Sequence, residues 1–234
     1  MSRLLLTSLC ALAAGLATAI ARPASAAPET LNWTFGVLLD DREIGYHNFS
    51  VTRDGATNVV ETEAKFDVRF LFVTAFRYRH RNTEIWNDGC LASIDATTDR
   101  NGDLLEVTGE QRLDGFSVSG LTGPVALPDC VRTFAYWNPA ILESERLLNS
   151  QTGDYEDVAV TFEGEETVTV GGEPVDALRY RLSVEAGDIT LWYSSGDRRW
   201  LALEAPARGG RTLRYRPVAV PQPDGDATLQ ARNT

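Results

Sequence analysis

The chain has 234 residues, 43% of them hydrophobic, and carries 33 acidic against 22 basic side chains, for a formal net charge of -11. That length suffices for one sizeable core, and the acidity excludes non-specific binding to nucleic acid or to an anionic membrane surface, both of which would repel it. Solubility is the plain explanation of the acidity; Lys65 is the single lysine, and the other basic side chains are arginines.

At the start of the chain, Arg3 precedes an almost unbroken apolar run from Leu4 to Ala21, and Ala24-Ser25-Ala26 is a small-residue cleavage pattern. This predicts a secretory signal peptide over residues 1–26 and a periplasmic or secreted mature protein. A membrane anchor is the alternative, since roughly 17–25 apolar residues span a bilayer. Leu9 before Cys10 is too large for a lipoprotein signal. Cleavage removes Arg3 and Arg22, which takes the charge from -11 to -13, and leaves residues 27–216 as a single β-rich domain.

Trp33, Phe35, Val37 and Leu39 alternate with the period of a strand. Asp40-Asp41-Arg42 turns the chain, and the next strand places His47, Phe49 and Val51 on one face. Asp54-Gly55 signals a hairpin. Val59 to Arg81 reads as one long extended stretch, which must bend or carry a bulge. Within it Val68, Phe70 and Phe72 share a face, as do Phe76, Tyr78 and His80, while Arg77, Arg79 and Arg81 point the other way. Thr83 to Trp86 opens a further strand, and Asp88-Gly89 turns it. Asp99-Arg100-Asn101-Gly102-Asp103 looks like a calcium loop, but its glycine is misplaced and the distal glutamate is absent. Asn-Gly as a hairpin turn is the better reading. Leu104 to Arg112 and Phe116 to Leu121 form another hairpin, and Gly123 to Pro128 reads as loop.

The strand pattern stops between Cys130 and Gly153. Phe134, Tyr136 and Trp137 form an aromatic knot. Asn138 is placed to cap a helix with Pro139 at its first position, and the helix would run at most to Asn149. Strands resume beyond Gly153, with turns expected at Glu163-Gly164, Gly171-Gly172, Ala186-Gly187 and Gly196-Asp197. The Pro- and Asp-rich tail from Pro217 is expected to be disordered. The fold class is therefore all-β: a curved antiparallel meander, half-barrel or open barrel, with one short helical plug.

Cleavage leaves two cysteines, Cys90 and Cys130, which in an exported chain read as a disulfide. Two separate buried thiols are the alternative. No CxxC or HxxxH spacing points to a metal, and nothing in the chain calls for a cofactor.

Ile44-Gly45-Tyr46-His47-Asn48-Phe49, Asn87-Asp88-Gly89-Cys90-Leu91, the run from Phe134 to Pro139, the run from Leu147 to Gly153 and Leu191-Trp192-Tyr193 resemble an uncharacterised family of exported bacterial proteins, a domain of unknown function. Residues 138–216 are also similar to another family of unknown function, periplasmic proteins thought to form a half-barrel like that of the bacterial lipoprotein carriers. The resemblance implies an open curved sheet with a helical plug and brings no catalytic residues with it.

A short helix covers little of a concave apolar face, and an uncovered apolar cavity is a ligand site by default. The leading expectation is thus a periplasmic binding or carrier protein for a lipid or other hydrophobic molecule. Trp33, Phe70, Phe72, Phe76, Tyr136, Trp137 and Trp192 would line its wall, unless they fill a dry core. An enzyme is the second reading. His47 and His80 each lie among apolar neighbours, and on adjacent strands they would meet, with Glu84 or Asp88 as orienting carboxylate for acid–base work. No GxSxG elbow, HExxH or phosphate loop accompanies them. A third reading is an envelope-assembly protein that presents a sheet edge or the arginine row to a protein partner. The triplets Asn32-Trp33-Thr34 and Asn48-Phe49-Ser50 are glycosylation sequons that strand alternation produces by accident.

Overall fold

The computed structural model describes residues 27–70 and 73–222. The expected signal peptide and Phe72 lie outside the described residues, as does the tail from residue 223 on. The first eight strands are β1 (Glu29–Leu39), β2 (Arg42–Asp54), β3 (Thr57–Phe70), β4 (Val73–Asn87), β5 (Cys90–Arg100), β6 (Asp103–Arg112), β7 (Gly115–Gly120) and β8 (Gly123–Leu127). A central segment follows, with a 3-10 turn at Pro139–Glu143 and a small hairpin of β9 (Arg146–Leu148) and β10 (Tyr155–Asp157). The chain then returns through β11 (Ala159–Val170), β12 (Glu173–Val184), β13 (Gly187–Ser194), β14 (Trp200–Ala207) and β15 (Arg211–Ala219).

All strands except β9 and β10 form one 13-stranded antiparallel sheet, ordered β11 to β15, then β1 to β8. Sequence neighbours are spatial neighbours throughout, and β15 pairs with β1 to join the two halves. The sheet is not closed: its edges are β8 and β11, the strands on either side of the central segment. That segment passes over the inner face. Its Val131, Ala135, Trp137, Ile141, Leu147 and Leu148 are buried in one core with Trp33, Trp86, Leu191 and Trp200 from the two halves of the sheet.

Several anchors hold this plug. Cys90 is bonded to Cys130, and the Leu91 N–H donates to the Val131 carbonyl at 2.9 Å. The Tyr193 hydroxyl donates to the Tyr136 carbonyl at 2.9 Å. At the far end, a side chain on Gly120 would sit 2.3 Å from the Thr152 carbonyl oxygen, so the plug seats directly on backbone there.

Local chemistry explains most of the strand ends. Asn101 and Gly102 both take positive φ, as the tight turn from β5 to β6 requires. Five expectations are corrected. The long stretch from Val59 is two antiparallel strands, β3 and β4, whose connection lies outside the described residues. A run of apolar alternation does not mark its own reversal. Gly123–Leu127 is a strand, since pairing with β7 gives its backbone groups partners. Glu163-Gly164 is a bulge inside β11 rather than a turn. The plug's helix is one 3-10 turn, with the Asn138 side chain accepting from the Ala140 N–H as its cap, and Arg146–Leu148 is extended. The domain also runs past 216, since β15 continues to Ala219 and Val220 is buried.

Candidate functional site

Register brings inward residues of successive strands into rows. One row reads Phe35, His47, Ala64, His80, Thr98 across β1 to β5. The next, toward the β1–β2 turn, reads Tyr215, Val37, Gly45, Phe66, Tyr78, Arg100 from β15 to β5. These rows lie beside the plugged core. Val37, Ala64, Phe66 and Tyr78 form a separate small cluster, flanked by half-buried Ile44, Leu213 and Tyr215.

The two histidines are not on adjacent strands: β3 lies between β2 and β4. They nevertheless share a row, and the residue between them is Ala64, too small to keep the imidazoles apart. Two strand spacings separate their backbones by roughly 10 Å, a gap that two inward imidazoles narrow. His47 stacks on Phe49 with centroids 4.2 Å apart, and its Nδ1 lies 2.9 Å from the Tyr215 hydroxyl. The buried His80 places Nδ1 2.9 Å from the Thr98 hydroxyl. Tyr78 stacks on Phe66 at 5.0 Å.

Gly45 makes this arrangement possible. A side chain there would fall 1.8 Å from the Lys65 carbonyl oxygen, so the β3 backbone already fills that position in the row between Val37 and Phe66 and only glycine fits.

Burial sets the charge states. It pushes His47 well below the usual histidine range, and the neighbouring His80 adds to the effect. Burial brings His80 down to about 4, with Arg100 contributing. Burial likewise raises Tyr78, Tyr136 and Tyr215, so their hydroxyls keep their protons. The Tyr215 hydroxyl shares one hydrogen bond with Nδ1, which leaves the Nε2 of His47 as the other polar atom of the ring. That Nε2 is buried and has no hydrogen-bond partner among the described residues. Both imidazoles are therefore neutral near pH 7. A base that titrates at about 4 is poorly matched to proton abstraction at that pH. A neutral imidazole is well suited to hold a polar group by hydrogen bonds.

Glu84 does not orient the histidines. Its row is Leu31, Val51, Val60, Glu84, Ile94, two rows away from His80. It accepts from Asn82 Nδ2 and Trp86 Nε1, each at 2.8 Å, and from the plug's Thr133 hydroxyl at 3.3 Å. Burial raises its pKa against the lowering effect of those bonds. It ties plug to sheet. Asp88 lies at the exposed β4–β5 turn, far from the row. Among the described residues no cluster of three or more His, Cys, Asp or Glu is arranged to hold a metal.

The aromatic wall residues separate into distinct places. Trp33 and Trp137 are buried in the plugged core, where the Trp33 Nε1 donates to the Trp200 carbonyl and Trp137 meets Trp86 edge to face at 5.6 Å. Trp192 faces the outer side, beside Glu166 and under the Arg179 guanidinium, and so does not line the concave face. Phe76 is 37% exposed near the end of the β3–β4 ribbon. Phe70 ends β3, and Phe72 falls outside the described residues. Tyr136, in the plug itself, is half-buried over Trp200 at 5.4 Å. Strand parity did not reveal Tyr215, Ala64, Phe66 or Thr98, because their part in the row depends on register. The inward alternation of Leu213 and Tyr215 was the signal available. The Arg77, Arg79 and Arg81 row is paired with Asp67 and Glu63 on β3.

Comparison with known proteins adds a family and a fold. Residues 35–218 match the family model described as "Domain of unknown function (DUF6134)". Among solved structures the chain is similar to one described as "Crystal Structure of Beta-barrel-like Protein of Domain of Unknown Function DUF1849 from Brucella abortus", at 8% sequence identity and a TM-score of 0.60, covering 83% of this chain and 98% of that one. At that identity the likeness carries the fold alone. No curated protein matches the chain.

Proposed function

We propose that this chain, which belongs to the DUF6134 family of domains of unknown function, is an exported binding or carrier protein for a lipid or other small hydrophobic molecule with a polar head. The beta-barrel-like fold is compatible with ligand binding. The plug occupies most of the concave face, so the proposed site is confined to the smaller cluster beside the plugged core. There the apolar cluster of Val37, Phe66 and Tyr78, with Ile44 and Leu213 beside it, would take the tail. His47, His80 and Tyr215 would take the head. The observation that carries this reading is the His47 Nε2, a buried ring nitrogen left without a partner among the described residues. A group in that state costs about 1–3 kcal/mol, which a polar group of the ligand would recover. The exported location belongs to the same proposal. Its support is the N-terminal run that reads as a signal peptide and the Cys90–Cys130 disulfide, a bond that persists in oxidising compartments.

The test is native mass spectrometry of protein purified without detergent, compared with Tyr215→Phe and His47→Ala after each is shown to fold by circular dichroism. An adduct of fixed mass on the wild type, weakened in both variants, is the expected result. A clean apo mass, with no uptake from a mixed-lipid extract, overturns the reading.

A further inference from the structure

On the opposite side of the same four strands, outward residues form a second ordered array. One row reads Thr34, Asn48, Glu63, Arg81 and the next reads Asn32, Ser50, Glu61, Thr83, each running across β1 to β4 in register. Columns stand about 4.8 Å apart and rows about 6.7 Å apart, the spacings of neighbouring strands and of every second residue. The surface here is an open depression of about 590 Å³, and all eight residues line it. The two Asn-x-Thr/Ser triplets, which look like accidents in the sequence, supply four of the eight positions. A strand's period of two puts the first and third residue of such a triplet side by side.

We infer that this polar grid is a second binding site, for a neutral oligosaccharide. The chemistry of the eight side chains selects that class. Two carboxylates against one guanidinium repel anions such as phosphate. The functional groups of these eight side chains are amides, hydroxyls, carboxylates and a guanidinium, which match vicinal hydroxyls that both donate and accept. Two features set it apart from an ordinary solvated sheet face. Glu63 is held from both sides: Tyr46 donates to Oε2 at 3.3 Å and Arg81 Nη2 donates to Oε1 at 3.2 Å, so its carboxylate is pre-oriented. The Oδ1 of Asn48, in the same row, is buried and has no partner among the described residues. The half-buried ring of Tyr46 borders the grid in the adjacent outward row, as a flat surface for a sugar ring.

Chitotriose, cellotetraose and maltotetraose, each titrated at millimolar concentration into the 15N-labelled mature chain, provide the test. The expected result is saturable amide shifts on β1 to β4 with at least one of the three. Binding should weaken about tenfold or more in Asn48→Ala and in Arg81→Ala, and stay unchanged in Tyr215→Phe, which alters only the inner face. Arg81 is exposed, so its variant keeps the fold even if Asn48→Ala does not. The inference is overturned if none of the three probes gives saturable shifts, if the shifts map to the inner face, or if both variants bind as the wild type does.

Discussion

The two ends of the concave face are built on opposite rules. At the plugged end, Trp33, Trp86, Trp137, Ile141 and Leu148 close into a core, and the buried carboxylate among them has donors from three side chains. At the other end, in the smaller cluster of Val37, Ala64, Phe66 and Tyr78, apolar residues are fewer and a buried imidazole nitrogen has no partner among the described residues. The first arrangement is what stability selects: a buried carboxylate given donors, and space filled. The second leaves the His47 Nε2 unpaired among the described residues, and it is there that the proposed ligand would bind. A test of the comparison is therefore to perturb each end and ask whether stability or binding responds.

The largest effect should come from the plug. Trp137→Ala removes a buried indole from its contact with Trp86, and we expect a loss of about 3–5 kcal/mol in urea unfolding. A loss below about 1 kcal/mol would mean that the plug rests on the sheet without sharing its core. Next comes the disulfide. Cys90 and Cys130 are 40 residues apart, and replacing both with serine should cost about 3–4 kcal/mol in the chain-entropy model. The plug should stay seated through Gly120 and Tyr193. Near-ultraviolet circular dichroism that keeps its tryptophan signals would show this, and their loss would make the disulfide the plug's main anchor.

The histidine row should respond to pH. His80 is held at about 4 against an ordinary value of 6.5, mainly by burial. Its neutral form is favoured in the folded state, so between those values the unfolded chain binds the proton and the folded one does not. The resulting stabilisation is complete above about pH 6.5 and is lost as the pH falls toward about 4. Its size is on the order of 3 kcal/mol. Thr98, Arg100, Tyr78 and His47 are the groups that face it. Glu84 works in the opposite sense, since burial favours its acid form and its contribution fades as the pH rises. The decisive comparison is thus wild type against His80→Gln across the range. The difference between them should shrink toward pH 4; parallel curves would place His80 in contact with solvent.

The same contrast governs how much the sequence disclosed. Strand alternation from Trp33 to Leu39 and the Asn101-Gly102 turn were legible because a strand's period and a turn's backbone angles are local. The plug was legible as a break in that period. Its conformation was not, because Arg146–Leu148 becomes extended only by pairing with β10 and bridging to Thr133. The histidine row was half legible. Parity put His47 and His80 inward, but Ala64 between them and Tyr215 beside them follow from register across strands far apart in the chain. Trp192 shows the converse: an aromatic residue in a buried-looking strand lies against Arg179 on the outside.

The smallest perturbation is the most discriminating. Tyr215→Phe removes one hydroxyl, 2.9 Å from the Nδ1 of His47, and leaves the ring in place. By stability alone it should cost about 1 kcal/mol, the ordinary price of one hydrogen bond. Its effect on binding depends on what the hydroxyl does. As a packing group only, its loss lowers the melting temperature slightly and leaves uptake from a lipid extract unchanged. As the partner that fixes the His47 tautomer, its loss frees the proton to move to Nδ1, and Nε2 turns from donor to acceptor. A ligand head that accepts from Nε2 would then meet a lone pair, and retention should fall by more than the stability change accounts for. Measured side by side on one protein sample, the two quantities separate a residue that holds the fold from one that holds a ligand.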